Sequence, residues 1–258
     1  MDIGTGKVTK KEQKIVPHHL LDVRRPTKDF SAAEFQDLAT MSIKDIHARG
    51  KLPFLVGGTG LYIDAVTKGL QIPRVPADKK LRAELESKSC EELLEILKKL
   101  DLKFSKIVEK CNKRRLIRAI EVCKKTGKKF SELRKTKKPP YDILYVGIKF
   151  SRAELNKRID GRVDKRIKQG MIEEVRRLLK EGVSESKLHD FGLEYRKLGE
   201  YVTGKTTKEE AIERLKIEIH QYAKRQMTWF KRNKKIRWLG PKNLGREAEK
   251  IILDFLEN

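Results

Sequence analysis

Several stretches of the chain combine residue types and spacings that could do chemistry on phosphates or bases. Gly57-Gly58-Thr59-Gly60-Leu61-Tyr62 follows the apolar run Leu52–Val56 and opens an apolar helix. Bare N–H groups and the dipole at a helix N-terminus attract anions. Glycines let a ligand approach the backbone, and Thr59 adds a hydroxyl. Ligands of open α/β sheets bind at such carboxyl ends of strands, although a plain strand-to-helix turn has the same composition. Asn112–Lys124 (NKRRLIRAIEVCK) puts Leu116, Ile120 and Cys123 on one face of a helical wheel and Arg114, Arg115 and Arg118 on the other. Such guanidiniums suit phosphates and base edges, or form an ordinary solvated face.

Two further stretches carry basic residues in register. Asn156–Arg177 repeats Arg158, Arg162 and Arg166 at i, i+4 and i+8, a basic stripe that Asp/Arg helix pairs also explain. Tyr222–Arg232 interleaves Lys224, Arg225, Lys231 and Arg232 with Tyr222, Trp229 and Phe230. That pattern suits RNA, whose phosphates are paired and whose exposed bases are stacked, while aromatic residues more often serve a core. Two other candidates fail. Gly4-Thr5-Gly6-Lys7 lacks the GxxxxGKS/T spacing of a phosphate loop and follows no strand. His18-His19 has no third ligand at metal-binding distance in sequence, which leaves it a structural role and the identity of any metal ligands unknown.

The elements that must position these residues announce themselves through caps. A hydroxyl followed three residues later by Glu satisfies the first N–H groups of a helix, and this pattern starts helices at Ser31, Ser89, Ser151 and Thr207, with Glu34, Glu92, Glu154 and Glu210. The first runs towards Ala48 and should bury Phe35, Leu38, Ala39 and Ile46. The last is long, with Ile212, Leu215, Ile219, Tyr222 and Trp229 at helical spacing. Leu52–Val56, Asp142–Phe150 and Lys235–Leu239 read as strands. Helix, buried strand, glycine turn and helix in that order predict an α/β fold with a mainly parallel sheet. Between Pro73 and Pro140 the chain turns helical and strongly charged, so it divides into residues 1–71, a helical insertion at 72–140, and 141–258.

Composition points to a polyanionic partner. Sixty-one Lys and Arg against 37 Asp and Glu leave a net charge of +24 in 258 residues. That balance fits nucleic acid far better than a simple metabolic substrate. Three cysteines without CxxC spacing suit a reduced protein of the cytoplasm. No apolar leader and no run of about 18 apolar residues occurs, so no membrane association is expected.

Read in order, MDIGTGK, PHHLLDV, FSAAEF, LPFLVGGTGLYI, RRLIRAIEV with KTGK, RIDGRVDK and YAKRQMTWFKR resemble the tRNA dimethylallyltransferase family from Met1 to about Leu239. The resemblance implies a P-loop nucleotide-kinase-like core with a helical insertion domain. It also implies a reaction: dimethylallyl diphosphate gives its prenyl group to N6 of the adenine 3′ of the anticodon, position 37, in tRNAs reading codons that begin with U. Mg2+ would assist the departing diphosphate. The implied partners are the tRNA anticodon stem-loop and dimethylallyl diphosphate, with the enzyme a monomer.

Carried over by motif, Thr59 lies near the adenine and Gly57 and Gly58 near the diphosphate, which Arg162 steadies. Arg82 and the run Arg114, Arg115, Leu116, Ile117 and Arg118 contact tRNA, as do Tyr195 and Arg196. Two departures from the family pattern stand out. Arg114 replaces a usual Gln, and DFGLEYR carries Leu193 and Glu194 between the glycine and tyrosine that the family places together. In the family, a phosphate loop and a DSxQ-type motif with a general-base Asp precede MDIGTGK. With the first strand and phosphate loop absent, the expectation for this chain alone is little or no turnover. A tRNA-binding fragment without chemistry is one alternative. A prenyltransferase of free adenine nucleotides is another, which the insertion and the charge disfavour.

Overall fold

The computed structural model describes residues 1–109 and 111–257. In chain order come α1 (Lys10–Ile15), α2 (Ala32–Ala48), α3 (Gly60–Thr67), α4 (Lys79–Glu86), α5 (Cys90–Leu100), α6 (Leu102–Ile107), α7 (Lys113–Thr126) and α8 (Phe130–Leu133). They are followed by β1 (Val146–Ile148), α9 (Arg152–Lys168), α10 (Met171–Lys180), α11 (Glu185–Phe191), α12 (Leu193–Val202) and α13 (Lys208–Phe230). Strand β2 (Arg237–Leu239) and α14 (Leu244–Leu256) close the chain.

Local signals place the helix starts. Ser31, Ser89 and Thr207 each form the full reciprocal cap with the Glu three residues on. Ser151 accepts the Glu154 N–H without the return bond. Thr9 and Glu12 form a further reciprocal cap, on α1, which the sequence reading passed over. Of the residues expected under α2, Ala39 is buried, while Phe35, Leu38 and Ile46 are half-buried.

Strand content is lower than expected. β1 and β2 pair in parallel, Val146 with Arg237 and Ile148 with Leu239, within the two longer runs predicted as strands. Parallel strands need a long crossover, here supplied by α9 to α13. Leu52–Val56 is a correction: it is not a strand, and Phe54 and Val56 are 66% and 89% exposed rather than buried. A strand exists only through a partner's N–H and C=O groups, and among the described residues none pairs with this run. The result is a helix-rich α/β chain with one small parallel sheet.

The chain forms two compact units, one of Met1–Phe30, Gly58–Gly60 and Asp142–Asn258, the other of Ser31–Gly57 and Leu61–Tyr141. In the first, Ile159 and Val163 of α9, Val175 and Leu178 of α10, Leu198 of α12 and Leu215 of α13 share a core. In the second, Leu85, Leu93, Leu97, Phe104, Leu116 and Ile120 do so. The second unit contains the whole stretch 72–140 together with α2 and most of α3. A short antiparallel bridge between Leu70 and Thr136 ties the two ends of that stretch, reinforced by the Gln71 N–H to the Lys135 carbonyl at 2.7 Å. The buried Asp101 carboxylate accepts the N–H groups of Phe104 and Ser131 and the Ser131 hydroxyl, so it caps α6 and holds α8.

Candidate functional site

In the first unit, the stretch Met1–Lys7 folds into a turn closed by Gly6 N–H to the Ile3 carbonyl and Lys7 N–H to the Asp2 carbonyl. Glu174 of α10 receives that turn. Its Oε2 accepts the Asp2 and Ile3 N–H groups at 2.6 and 3.0 Å, and its Oε1 accepts the Gly4 N–H at 3.0 Å and the Tyr195 hydroxyl at 2.7 Å. Burial pushes the Glu174 pKa up, but the donors from Gly4, Asp2, Tyr195 and Ile3 outweigh it and hold the carboxyl below its ordinary range. Burial and the neighbouring carboxylate push the Tyr195 phenol up. A Cβ on Gly4 would sit 2.6 Å from the Tyr195 ring, so the glycine is what lets turn and ring meet. Asp2 itself is tied to Lys7, whose hydrogen bond keeps its carboxyl below the usual range.

Two arginines of α9 stand beside this turn. Arg166 donates to the Gly4 carbonyl at 3.3 Å, pairs with Glu194 at 3.5 Å, and lies so close to Gly6 that a Cβ there would overlap its guanidinium. Burial, then the charge of Arg162 one helical turn back, lowers its pKa. Arg162 is exposed and takes no hydrogen bond or ion pair among the described residues. Arg158, further along the stripe, lies 4.7 Å over the Phe150 ring.

Gly58–Gly60 of the glycine turn also belong to the first unit. Gln226 of α13 donates to the Gly58 carbonyl at 2.9 Å, and Trp229, one helical turn on, lies against Gly60 where a Cβ would overlap the indole. Thr59 between them is exposed, as is Gly57. Thus α13 grips the turn through two side chains of its aromatic and basic stretch. The role of Gln226 was missed in the sequence; its signal is the i, i+3 spacing from Trp229, which puts both on one face.

In the second unit, Arg82 makes a two-pronged pair with Glu121, Nε to Oε1 and Nη2 to Oε2 both at 2.8 Å. Arg118 reaches the same carboxylate at 2.5 Å and donates to the carbonyls of Pro73 and Val75 at 3.0 and 2.9 Å. Glu121 is wholly buried and also accepts the Asp78 N–H at 2.8 Å. Arg114 and Arg115 are exposed, the latter 3.8 Å from Glu109. The residues expected to contact tRNA are not all presented alike. Arg118 turns inward, because its guanidinium satisfies backbone carbonyls that would otherwise lack donors. Leu116 and Ile117 are 0% and 3% exposed, so their side chains serve the core. In the first unit the Tyr195 side chain is likewise buried on Glu174, and Arg196 pairs with Glu218 at 2.5 Å, its Nε buried without a partner.

The two arginines therefore separate under mutation. Arg115→Ala should leave the melting temperature within the ordinary scatter of surface changes, about 0.5 kcal/mol. Arg118→Ala strips hydrogen bonds from two carbonyls and a buried carboxylate and should cost roughly 2 to 3 kcal/mol. Chemical denaturation of the two variants side by side measures this, and equal losses would place Arg118 at the surface.

Among the described residues no group of three His, Cys, Asp or Glu side chains could hold a metal ion, and no helix is long and apolar enough to cross a membrane.

Comparison with known proteins follows the whole chain. The family described as IPP transferase matches residues 1–233. A tRNA dimethylallyltransferase of Thermomicrobium roseum is 42% identical over 242 residues, covering 92% of this chain and 74% of that protein. One of a Roseiflexus species is 41% identical over 263 residues, covering 100% and 86%. Among solved structures, the full-length tRNA isopentenylpyrophosphate transferase of Bacillus halodurans superposes with a TM-score of 0.71 at 38% identity, covering 100% of this chain and 84% of that one. A eukaryotic dimethylallyltransferase acting on tRNA gives a TM-score of 0.81 at 26% identity, covering 99% and 69%.

Proposed function

The chain belongs to the IPP transferase family, and from that premise we propose that it moves the dimethylallyl group of dimethylallyl diphosphate onto N6 of adenine 37 in tRNAs reading codons that begin with U. The observation that carries this reading is the match at 42% identity over 92% of the chain to a tRNA dimethylallyltransferase. The site's chemistry supports it. As N6 bonds to C1 of the prenyl group, the C1–O bond breaks, the diphosphate leaves with the electron pair, and N6 gives up a proton. Negative charge thus grows on the departing oxygens, where a fixed cation contributes most. Arg162, exposed beside Arg166, is the guanidinium for that role. Gly57 and Gly58 would offer backbone N–H groups to the diphosphate, and Thr59 its hydroxyl near the adenine. A flipped adenine must leave its stack to be reached, and Arg82, Arg114 and Arg115 with the +24 charge would hold the surrounding RNA backbone.

The finer parts of the reading are a P-loop nucleotide-kinase-like core, a helical insertion that meets tRNA, and a monomer acting in the cytoplasm. Mg2+ would neutralise the leaving diphosphate, whose own oxygens and waters make up most of its usual ligands.

Incubation with isotopically labelled dimethylallyl diphosphate and an anticodon stem-loop RNA tests the reading. With the family's phosphate loop and DSxQ-type motif joined to the chain, the expected product is RNA carrying label on its adenine 3′ of the anticodon. Label on adenosine monophosphate but not on RNA would reassign the acceptor, and binding without transfer would leave an RNA-binding protein. Stem-loop affinity should also fall steeply with salt, with a log–log slope of about −0.7 to −0.9 per neutralised phosphate. Affinity indifferent to salt would remove the charge argument.

A further inference from the structure

The Glu174 carboxylate is a buried group that the reaction as described does not use. It sits on α10 with 5% exposure and faces four donors: three consecutive backbone N–H groups of the Met1–Lys7 turn and one phenol. Arg177 approaches its Oε2 from the same helix at 3.8 Å. Each carboxylate oxygen takes two of the four donors, and an ionised carboxylate is the side chain of this length that only accepts. The turn so fixed aims its Gly4 carbonyl at Arg166 and brings Gly6 against the same guanidinium. Glu194 at the start of α12 pairs with the same Arg166 nitrogen, one residue from Tyr195, which itself ends on Glu174. One buried charge therefore sets the turn, the ring and, through both, the arginine that neighbours Arg162.

Resting on the proposed reaction, we infer that Glu174 is a positioning residue for it, fixing the Met1–Lys7 turn and thereby Arg166 at the end of the site that takes the diphosphate. Such a residue touches no substrate. It acts by holding a guanidinium in a geometry that tolerates little error, since small misplacements of a binding group cost disproportionate activity.

The natural variant is Glu174→Gln. It keeps shape but puts an NH2 group in place of one oxygen, so the turn loses the Gly4 bond if the NH2 faces the Tyr195 hydroxyl, which can accept, or the Asp2 and Ile3 bonds if it faces the other way. In the full chain, amide hydrogen exchange at Gly4, or at Asp2 and Ile3, should accelerate. Affinity for inorganic diphosphate should fall about tenfold, the scale of one lost charge-assisted contact. KM for dimethylallyl diphosphate should rise with it, while stem-loop affinity stays within about twofold, as expected for a change outside the RNA contacts. Tyr195→Phe, which removes one donor of the four and keeps the ring, should shift diphosphate affinity in the same direction by less. It decides the matter if the glutamine variant does not fold.

Several results overturn the inference: a wild-type chain that binds no diphosphate, amides as protected in Glu174→Gln as in wild type, or faster amide exchange with unchanged diphosphate affinity. For Tyr195→Phe, unchanged diphosphate affinity beside faster exchange does the same. A wild-type chain that binds diphosphate but transfers no prenyl group sinks the proposed reaction instead, and the exchange and diphosphate measurements still decide what Glu174 does.

Discussion

Replacing Glu121 by alanine should cost the helical unit about 3 to 5 kcal/mol, the usual penalty for breaking a buried ion pair from one side. The carboxylate is wholly buried and takes donors from Arg82, Arg118 and the Asp78 N–H. Without it, two guanidiniums and a backbone amide face a void in place of an anion. Burial pushes the Glu121 pKa up, but the bonds from Arg82, Asp78 and Arg118 together hold it below the ordinary carboxylate range. A carboxyl depressed on folding stabilises fully above its unfolded pKa and loses that contribution as pH falls through the folded one. Wild-type stability should thus be level near neutrality and decline only below about pH 4.5, with Glu121→Ala showing a shallower decline. Urea denaturation across that range measures both. A variant within 1 kcal/mol of wild type at neutral pH would show the cluster to be ornamental.

The second large effect is catalytic. Arg162→Ala should lower kcat for prenyl transfer by about a hundred- to a thousandfold, the loss typical when one preorganised donor to a developing oxyanion is removed. Because Arg162 is exposed and bonded to nothing among the described residues, the melting temperature should not move. Binding of the anticodon stem-loop should weaken little, which separates a role on the leaving group from a general contribution of charge. Arg162→Lys keeps the charge but loses the planar fork, and partial rescue is expected. Loss confined to stem-loop affinity, with kcat intact, would move Arg162 from the diphosphate to the RNA.

What could be read in advance was what neighbours along the chain decide. The caps at Ser31, Ser89 and Thr207 need only a hydroxyl and a Glu three residues on, so they were legible and are found. The family, too, was legible, because several motifs occur in one order. Leu52–Val56 was not: its apolar run satisfies every local criterion for a strand, but strands are made by partners elsewhere. The same limit hid both buried acids. Glu174 and Glu121 sit in EEV and IEV, which read as ordinary helix surface, and the donors that bury Glu174 lie up to 172 residues away. Gly4 and Gly6 showed the opposite error. Weighed as a phosphate loop they failed, and their use is to let Tyr195 and Arg166 come close. Of the basic stripe in α7, a helical wheel separates inside from outside but does not show that Arg118 bends back to Pro73 and Val75.

The hold of Glu174 on Asp2, Ile3 and Gly4 also sets an order of events in the life of the chain. The amides that it receives emerge from the ribosome 170 to 172 residues before their acceptor does. At the usual pace of synthesis that interval is roughly 10 to 30 seconds, far longer than local helices need to form. Through it the Met1–Lys7 turn has no anchor, and Tyr195, which completes the anchor, follows later still. The helical unit carries its own core between Leu85 and Ile120 and can consolidate in the meantime. The residues of the Met1–Lys7 turn are therefore made long before they find their place, and a nascent chain released before α12 would leave them exposed to proteases and chaperones.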